Sequence, residues 1–141
     1  MILPEGKSAQ EAFYRSYKGL SNWQSTQRLL ADDTGMVNTW IGQFRDFIIM
    51  PGNIRSQCIN APIQGSAAEA MLASIIQLPR DMYATVHDEL TVMVKKDQPE
   101  EAVHELEQAM IKGFLQVFPD GERLLNGLVE VKTGNNWAQA H

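Results

Sequence analysis

The chain has 141 residues and a mass of 15.8 kDa, with 44% hydrophobic and 21% charged residues and a net charge of −5. That is one domain's worth of globular chain, or one piece of a larger one, and it excludes disorder of the whole chain. No apolar run approaches the roughly 20 residues that span a bilayer, which excludes a helical membrane protein, and the net acidity argues against a free-standing nucleic-acid binder.

The first residues, Met1-Ile2-Leu3-Pro4-Glu5, carry no signal-peptide pattern. The single cysteine, Cys58, has no internal disulfide partner, which fits a reducing, cytoplasmic setting. The charge is uneven. Residues 1–80 hold seven Lys/Arg and six Asp/Glu, a net of +1, whereas residues 81–141 hold five and eleven, a net of −6. A phosphate-facing surface belongs in the first part, and the acidic part suits solvent or cations.

In chain order, residues 8–31 read as helical. Phe13, Tyr17, Leu20, Trp23, Gln27 and Leu30 recur at spacings of three and four, and Gly19 suggests a break between two helices. Asp32-Asp33-Thr34-Gly35 is turn chemistry. Met36–Trp40 and Phe44–Ile49 flank Gly42 and read as a hairpin, followed by a loop at Pro51-Gly52-Asn53. A further helix is expected from Asn60, with Asn60 as its cap and Pro62 in its first turn. Gln64-Gly65-Ser66-Ala67-Ala68 is small for a helix and permits close approach, while Ile63, Ala67, Ala70, Met71 and Ile75 give an apolar side down to Leu78.

Met82–Val86 and Leu90–Val94 read as an antiparallel hairpin with His87-Asp88-Glu89 at its tip. Asp97 and Pro99 mark the start of another helix, whose buried face would be Val103, Leu106, Met110 and Phe114. Leu128–Lys132 reads as a last strand. The order of elements points to α+β: an antiparallel sheet with packed helices.

The triplet His87-Asp88-Glu89 carries the chemistry. Adjacent carboxylates at a tip beside Val86 and Leu90 are costly if desolvated, unless a cation or several donors offset them. Hard oxygen ligands favour Mg²⁺ or Mn²⁺ over Zn²⁺. Taken alone, the triplet reads better as the solvated turn of an ordinary hairpin with no ligand.

It does not stand alone. Asn60-Ala61-Pro62-Ile63-Gln64-Gly65-Ser66-Ala67-Ala68-Glu69 precedes it, and Val129-Glu130-Val131 through Asn136-Trp137-Ala138-Gln139-Ala140-His141 follows it. In this order the three segments resemble the C-terminal part of family A, or DNA polymerase I-like, DNA polymerases. Val86–Leu90 matches motif C, and residues 60–69 match N-x-P-x-Q-G-[ST]-A-A-[DE]. Tyr17-Lys18-Gly19-Leu20 and Gly35–Arg45 resemble upstream segments of the family. The resemblance covers about residues 8–141 and divides the chain into fingers-derived helices and a hairpin (1–55) and a C-terminal palm segment with the motif C hairpin (56–141).

The resemblance implies that Asp88 is a ligand of the catalytic Mg²⁺ (or Mn²⁺) ions, that Glu89 assists that metal site, and that His87 lies near the primer's 3′ end. These three form the implied catalytic set. Asn60 and Gln64 would contact primer–template DNA in the minor groove, with Arg45 and Arg55 as candidates for phosphate contacts. Two departures from the family pattern bear on template contacts: Ser56 stands where an arginine is usual, with Arg55 one step earlier, and Gln43 replaces another. Motif A and the nucleotide-binding helix have no match.

Two-metal transfer needs both carboxylate sites, with the ions roughly 3.5–4 Å apart. The reading is therefore the C-terminal subunit of a split polymerase, a DNA-directed nucleotidyltransferase inactive as an isolated chain. Its partners would be an N-terminal chain carrying motif A, primer–template and deoxynucleoside triphosphates. A phage source is consistent with this, as is the host cytoplasm. Some of Trp23, Trp40 and Trp137 would then meet the partner. The alternatives are a non-catalytic remnant that binds DNA or a replication protein and, less well supported, a stand-alone metal hydrolase built on the triplet. His104 fits a solvated helix face.

Overall fold

The computed structural model describes residues 4–48 and 54–140. The elements are helices α1 (Pro4–Ser16) and α2 (Lys18–Thr34), strands β1 (Met36–Asn38) and β2 (Phe44–Asp46), helix α3 (Ile54–Gln77), strands β3 (Met82–Val86) and β4 (Glu89–Val92), and helices α4 (Pro99–Val117) and α5 (Trp137–Ala140). A 3-10 turn at Pro119–Leu124 follows α4. This is an α+β chain with two separate antiparallel pairs, β1–β2 and β3–β4. The residues divide into two compact units, 1–63 and 64–141. The expected loop at Pro51-Gly52-Asn53, the end of the second run at Ile49, and His141 lie outside the described residues.

In the first unit the helical stretch breaks at Tyr17 and not at Gly19. Tyr17 leaves helical geometry (φ −115°, ψ 60°), and Gly19 lies inside α2. Aromatic packing fixes the bend: the Phe13 and Tyr17 rings lie 4.9 Å apart, and the Tyr14 hydroxyl donates to Gln24 Oε1 across the two helices at 2.9 Å. Gly35 ends α2 in the left-handed region (φ 72°), donating to the Ala31 carbonyl. A left-handed residue just past a helix satisfies a carbonyl that would otherwise lack a partner, and glycine adopts it without strain. A side chain there would also strike Ile48 at 2.8 Å. The β1–β2 register pairs Met36 with Asp46, Val37 with Arg45, and Asn38 with Phe44. The core is small: Ala31, Val37, Phe47 and Cys58, with Ile59 and Ala61 against it.

Helix α3 corrects the sequence reading. It begins by Ile54, so Asn60 is not its cap and Pro62 lies in its interior. A mid-helix proline removes one hydrogen bond and costs about 3 kcal/mol, which packing must offset. The buried face in the second unit follows the expected apolar one only in part: Ala70 is buried and Met71 and Ile75 are half-buried. Ser66, Glu69, Ala70, Ala73 and Ser74 are buried, while Ile63 and Ala67 are exposed. The reason is the approach of α4, whose buried residues are Ala102, Leu106, Ala109, Gly113 and Val117, with Val103, Met110 and Phe114 only half-buried on its flanks. Small residues on both helices let the backbones close in. A Cβ on Gly113 would sit 2.6 Å from Ser74 Cα. Ser74 Oγ donates to the Ala70 carbonyl at 2.7 Å and reaches the Met110 carbonyl at 3.4 Å. An ion pair between Arg80 and Glu105 closes the end of this packing.

Two further expectations are revised. Gln98, not Asp97, occupies the cap position of α4, because Pro99 takes the first helical position; Gln98 lies outside helical geometry (φ −131°, ψ 38°). Residues 128–132 form no strand. A strand exists only through its ladder, and no described residue pairs with this stretch. Asn136 opens α5, accepting from the Gln139 amide at 3.2 Å, while Gln139 Oε1 reaches back to the Asn135 amide at 2.9 Å.

Candidate active site

The β3–β4 hairpin carries the triplet, but its tip is tighter than expected. Val86 pairs with Glu89, Thr85 with Leu90 and Ala84 with Thr91, leaving a two-residue turn of His87 and Asp88. Glu89 is therefore the first residue of β4. A register irregularity between Met82 and Ala84 sets Tyr83 out of the ladder, and such a bulge increases the local twist of a hairpin. Leu90, 8% exposed, anchors the turn to the second unit's interior. Alternation along β4 then sends Glu89 to the opposite face.

All three residues of the triplet are exposed, so the desolvation expected for a carboxylate is not found. No described element covers the tip. The Asp88 carboxylate has no hydrogen-bond or ion-pair partner among the described residues. Among those residues, no group of three or more His, Cys, Asp or Glu side chains is placed to hold a metal ion. The donors present are nonetheless of the right kind. Mg²⁺ is commonly held by one or two carboxylates together with substrate phosphates, so Asp88 with Glu89 fits part of a shell and not a whole one.

The expected DNA-contacting residues are placed as follows. Asn60 and Gln64 lie one turn apart on α3, both exposed, with exposed Ala67 further along the same side. Arg45 lies on β2 opposite Val37 and is half-buried, with Nη2 donating to Gln57 Oε1 at 3.2 Å. Its Nε is buried without a hydrogen-bond partner. Arg55 is exposed in the first turn of α3, beside a cavity of about 140 Å³ that Arg28, Asp32, Ile54 and Cys58 also line.

Cys58 is fully buried. Desolvation pushes its thiol above the ordinary value, with Arg28 drawing it down and Asp32 pushing it up. Sequence reasoning missed two of these features: Gln57, which holds Arg45, and Arg28, which faces the same cavity as Arg55. Neither lies at a spacing that marks it, because both roles depend on how β2 and α2 meet the start of α3.

The hairpin thus ends in an exposed carboxylate, and α3 displays two exposed amides. Comparisons with known proteins identify the family. The family model of DNA polymerase family A matches residues 3–139, and the chain belongs to that family. Chloroplastic DNA polymerase I A of Oryza sativa subsp. japonica is 29% identical over 126 residues, covering 78% of this chain and 12% of its own length. Thermostable DNA polymerase I of Thermus filiformis is 27% identical, covering 96% and 17%, and DNA polymerase I of Pseudomonas aeruginosa is 26% identical, covering 97% and 16%. The chain thus spans less than a fifth of the length of these curated relatives. No solved structure matches it significantly. No helix among the described residues is long and apolar enough to cross a membrane.

Proposed function

We propose that these residues supply the motif C turn and the minor-groove helix of a template-directed DNA-synthesising site, completed by a segment carrying motif A on a separate chain. The observation that carries this reading is Asp88. It is an exposed carboxylate without a partner, held in a two-residue turn, within a match to the family that runs almost the whole chain. Asp88, assisted by Glu89, would hold Mg²⁺ or Mn²⁺. Bound there in a two-metal arrangement, such ions supply charge stabilisation and lower the pKa of the attacking hydroxyl. In the reaction the primer 3′-oxygen bonds to the α-phosphorus of a deoxynucleoside triphosphate, the bond from that phosphorus to the β-phosphate oxygen breaks, and pyrophosphate leaves.

Asn60 and Gln64 present amides to the minor-groove acceptors that every base pair offers, which positions the primer–template without demanding one sequence. Arg45, oriented by Gln57, and Arg55 contact backbone phosphates. His87 lies by the primer terminus. The exposed Trp40 and Trp137, 65% and 44% accessible, are candidates for contact with the completing chain.

The test is primer extension with this chain and a chain carrying motif A, in Mg²⁺. Extension by the mixture and not by either chain alone, abolished by Asp88→Asn with DNA affinity retained, is the expected result. A mixture that extends no primer refutes the assembly, and full extension by the Asp88→Asn mixture shows a non-catalytic DNA-binding remnant.

A further inference from the structure

We propose that His87 is a positioning residue whose left-handed backbone, and not its imidazole, aims the Asp88 carboxylate. The inference rests on the reading of Asp88 given above and adds to it how the turn presents that side chain.

His87 has φ 54° and is the sole non-glycine residue with positive φ among those described. The left-handed region is disfavoured for any residue with a Cβ, and histidine is among the few that enter it more readily than most. The ladder on either side leaves no alternative. Val86 pairs with Glu89 and Thr85 with Leu90, so the strands must be joined by two residues. Two-residue loops match the right-handed twist of the strands only in the primed turns, which need a positive φ at the first central position. His87 supplies that positive φ at the first central position, where glycine is common.

The imidazole has no such constraint. It is exposed, and no hydrogen bond, ion pair or ring contact ties it to another described residue. What His87 contributes within the chain is the direction of the backbone entering Asp88. A negative φ there would convert the turn to an unprimed type, splay β3 from β4 and swing the Asp88 Cα–Cβ bond away from its present line. Buried Leu90 resists that movement from the β4 side. Strain held by surrounding structure at a reacting centre is a recurring form of pre-organisation.

The proposal predicts a rank order that follows tolerance of positive φ and ignores side-chain chemistry. His87→Gly, His87→Asn, His87→Ala and His87→Val would each be assembled with the motif A chain. Each would be assayed for extension rate, for the Mg²⁺ concentration giving half the maximal rate, and for affinity to primed DNA. Glycine and asparagine variants should exceed alanine, and alanine should exceed valine. About tenfold in rate is expected between glycine and valine, which corresponds to roughly 1.4 kcal/mol. The Mg²⁺ requirement should rise in the same order while DNA affinity stays level, a split that a general loss of folding would not give. Equal impairment of all four variants places the role in the imidazole and overturns the proposal. Should the valine variant not fold, the glycine–alanine pair decides: equal rates and equal Mg²⁺ requirements refute it. Asp88→Asn, run alongside, separates the two levels. Unimpaired synthesis by Asp88→Asn defeats the reading of Asp88, whereas its loss together with four equal His87 variants defeats the positioning role alone.

Discussion

Replacing Gly113 by alanine tests the packing that orients α3. In an exposed helix interior, Gly→Ala stabilises by about 1 kcal/mol. At Gly113 the added carbon would lie 2.6 Å from Ser74 Cα and closer still to the Ser74 amide nitrogen and Oγ. Unstrained carbon contacts need about 3.5 Å or more, so α3 and α4 must part by about 1 Å. Overpacking of this kind costs about 1–3 kcal/mol. The movement also stretches the bond of Ser74 Oγ to the Met110 carbonyl, already 3.4 Å. The net expectation is destabilisation by about 1–2 kcal/mol, or a fall in melting temperature of about 3–8 °C for a chain of this size. Gly19 is the matched control: it lies in α2, and a Cβ there meets nothing within 4 Å. Gly19→Ala should raise the melting temperature, by up to the propensity gain. Thermal melts of both variants, followed by circular dichroism, decide the matter. A Gly113→Ala chain that melts at or above the parent would refute the close-packed interface and the account of why small residues line it.

Arg45→Met should weaken binding to primed DNA evenly across sequences and reduce the slope of log affinity against log salt concentration by about one, as expected for loss of a phosphate contact; an unchanged slope in fluorescence anisotropy removes Arg45 from the interface. Burial raises the Cys58 thiol above its ordinary value of 9.0. Because the folded-state value lies above the unfolded one, the stabilisation from keeping the thiol neutral is complete below that ordinary value and is lost as pH rises through the folded value. Urea-unfolding stability should therefore fall more steeply between pH 8 and 10 in the parent than in Cys58→Ala, and parallel pH profiles would contradict this.

The sequence showed what is local. Both hairpins, the glycine stop at Gly35 and the proline start at Pro99 follow from short-range chemistry that a few residues settle among themselves. What it hid depends on neighbours. The buried stripe of α4 is written in Ala102, Ala109 and Gly113, which a search for large apolar residues passes over. The same holds for Ser66 and Ser74 on α3, polar residues buried because their small size admits a second backbone. Asn60 and Pro62 resemble a helix start so well that only the core formed around Cys58 explains why the helix begins earlier. The candidate site divides in the same way. Residues 87–89 were visible as a charged tip, but the reduction of that tip to two residues depends on cross-strand register, which pattern alone does not fix.

Helix α3 explains why one segment carries both an awkward proline and two amides. Its first turns are held by Cys58, Ile59 and Ala61 in one core, and its last turns by Ala70, Ala73 and Ser74 in another. Packing at both ends offsets the hydrogen bond that Pro62 cannot make. Between them, Asn60 and Gln64 are exposed, and the small residues Gly65, Ser66, Ala67 and Ala68 follow. Bulky residues would serve neither side of this stretch. Where α3 meets α4 at Ser74 they would push the helices apart, and on the proposed function they would also hold a duplex away from the two amides. On that proposal the requirement for close approach acts on the helix twice, and it accounts for a composition that helix propensity would not select.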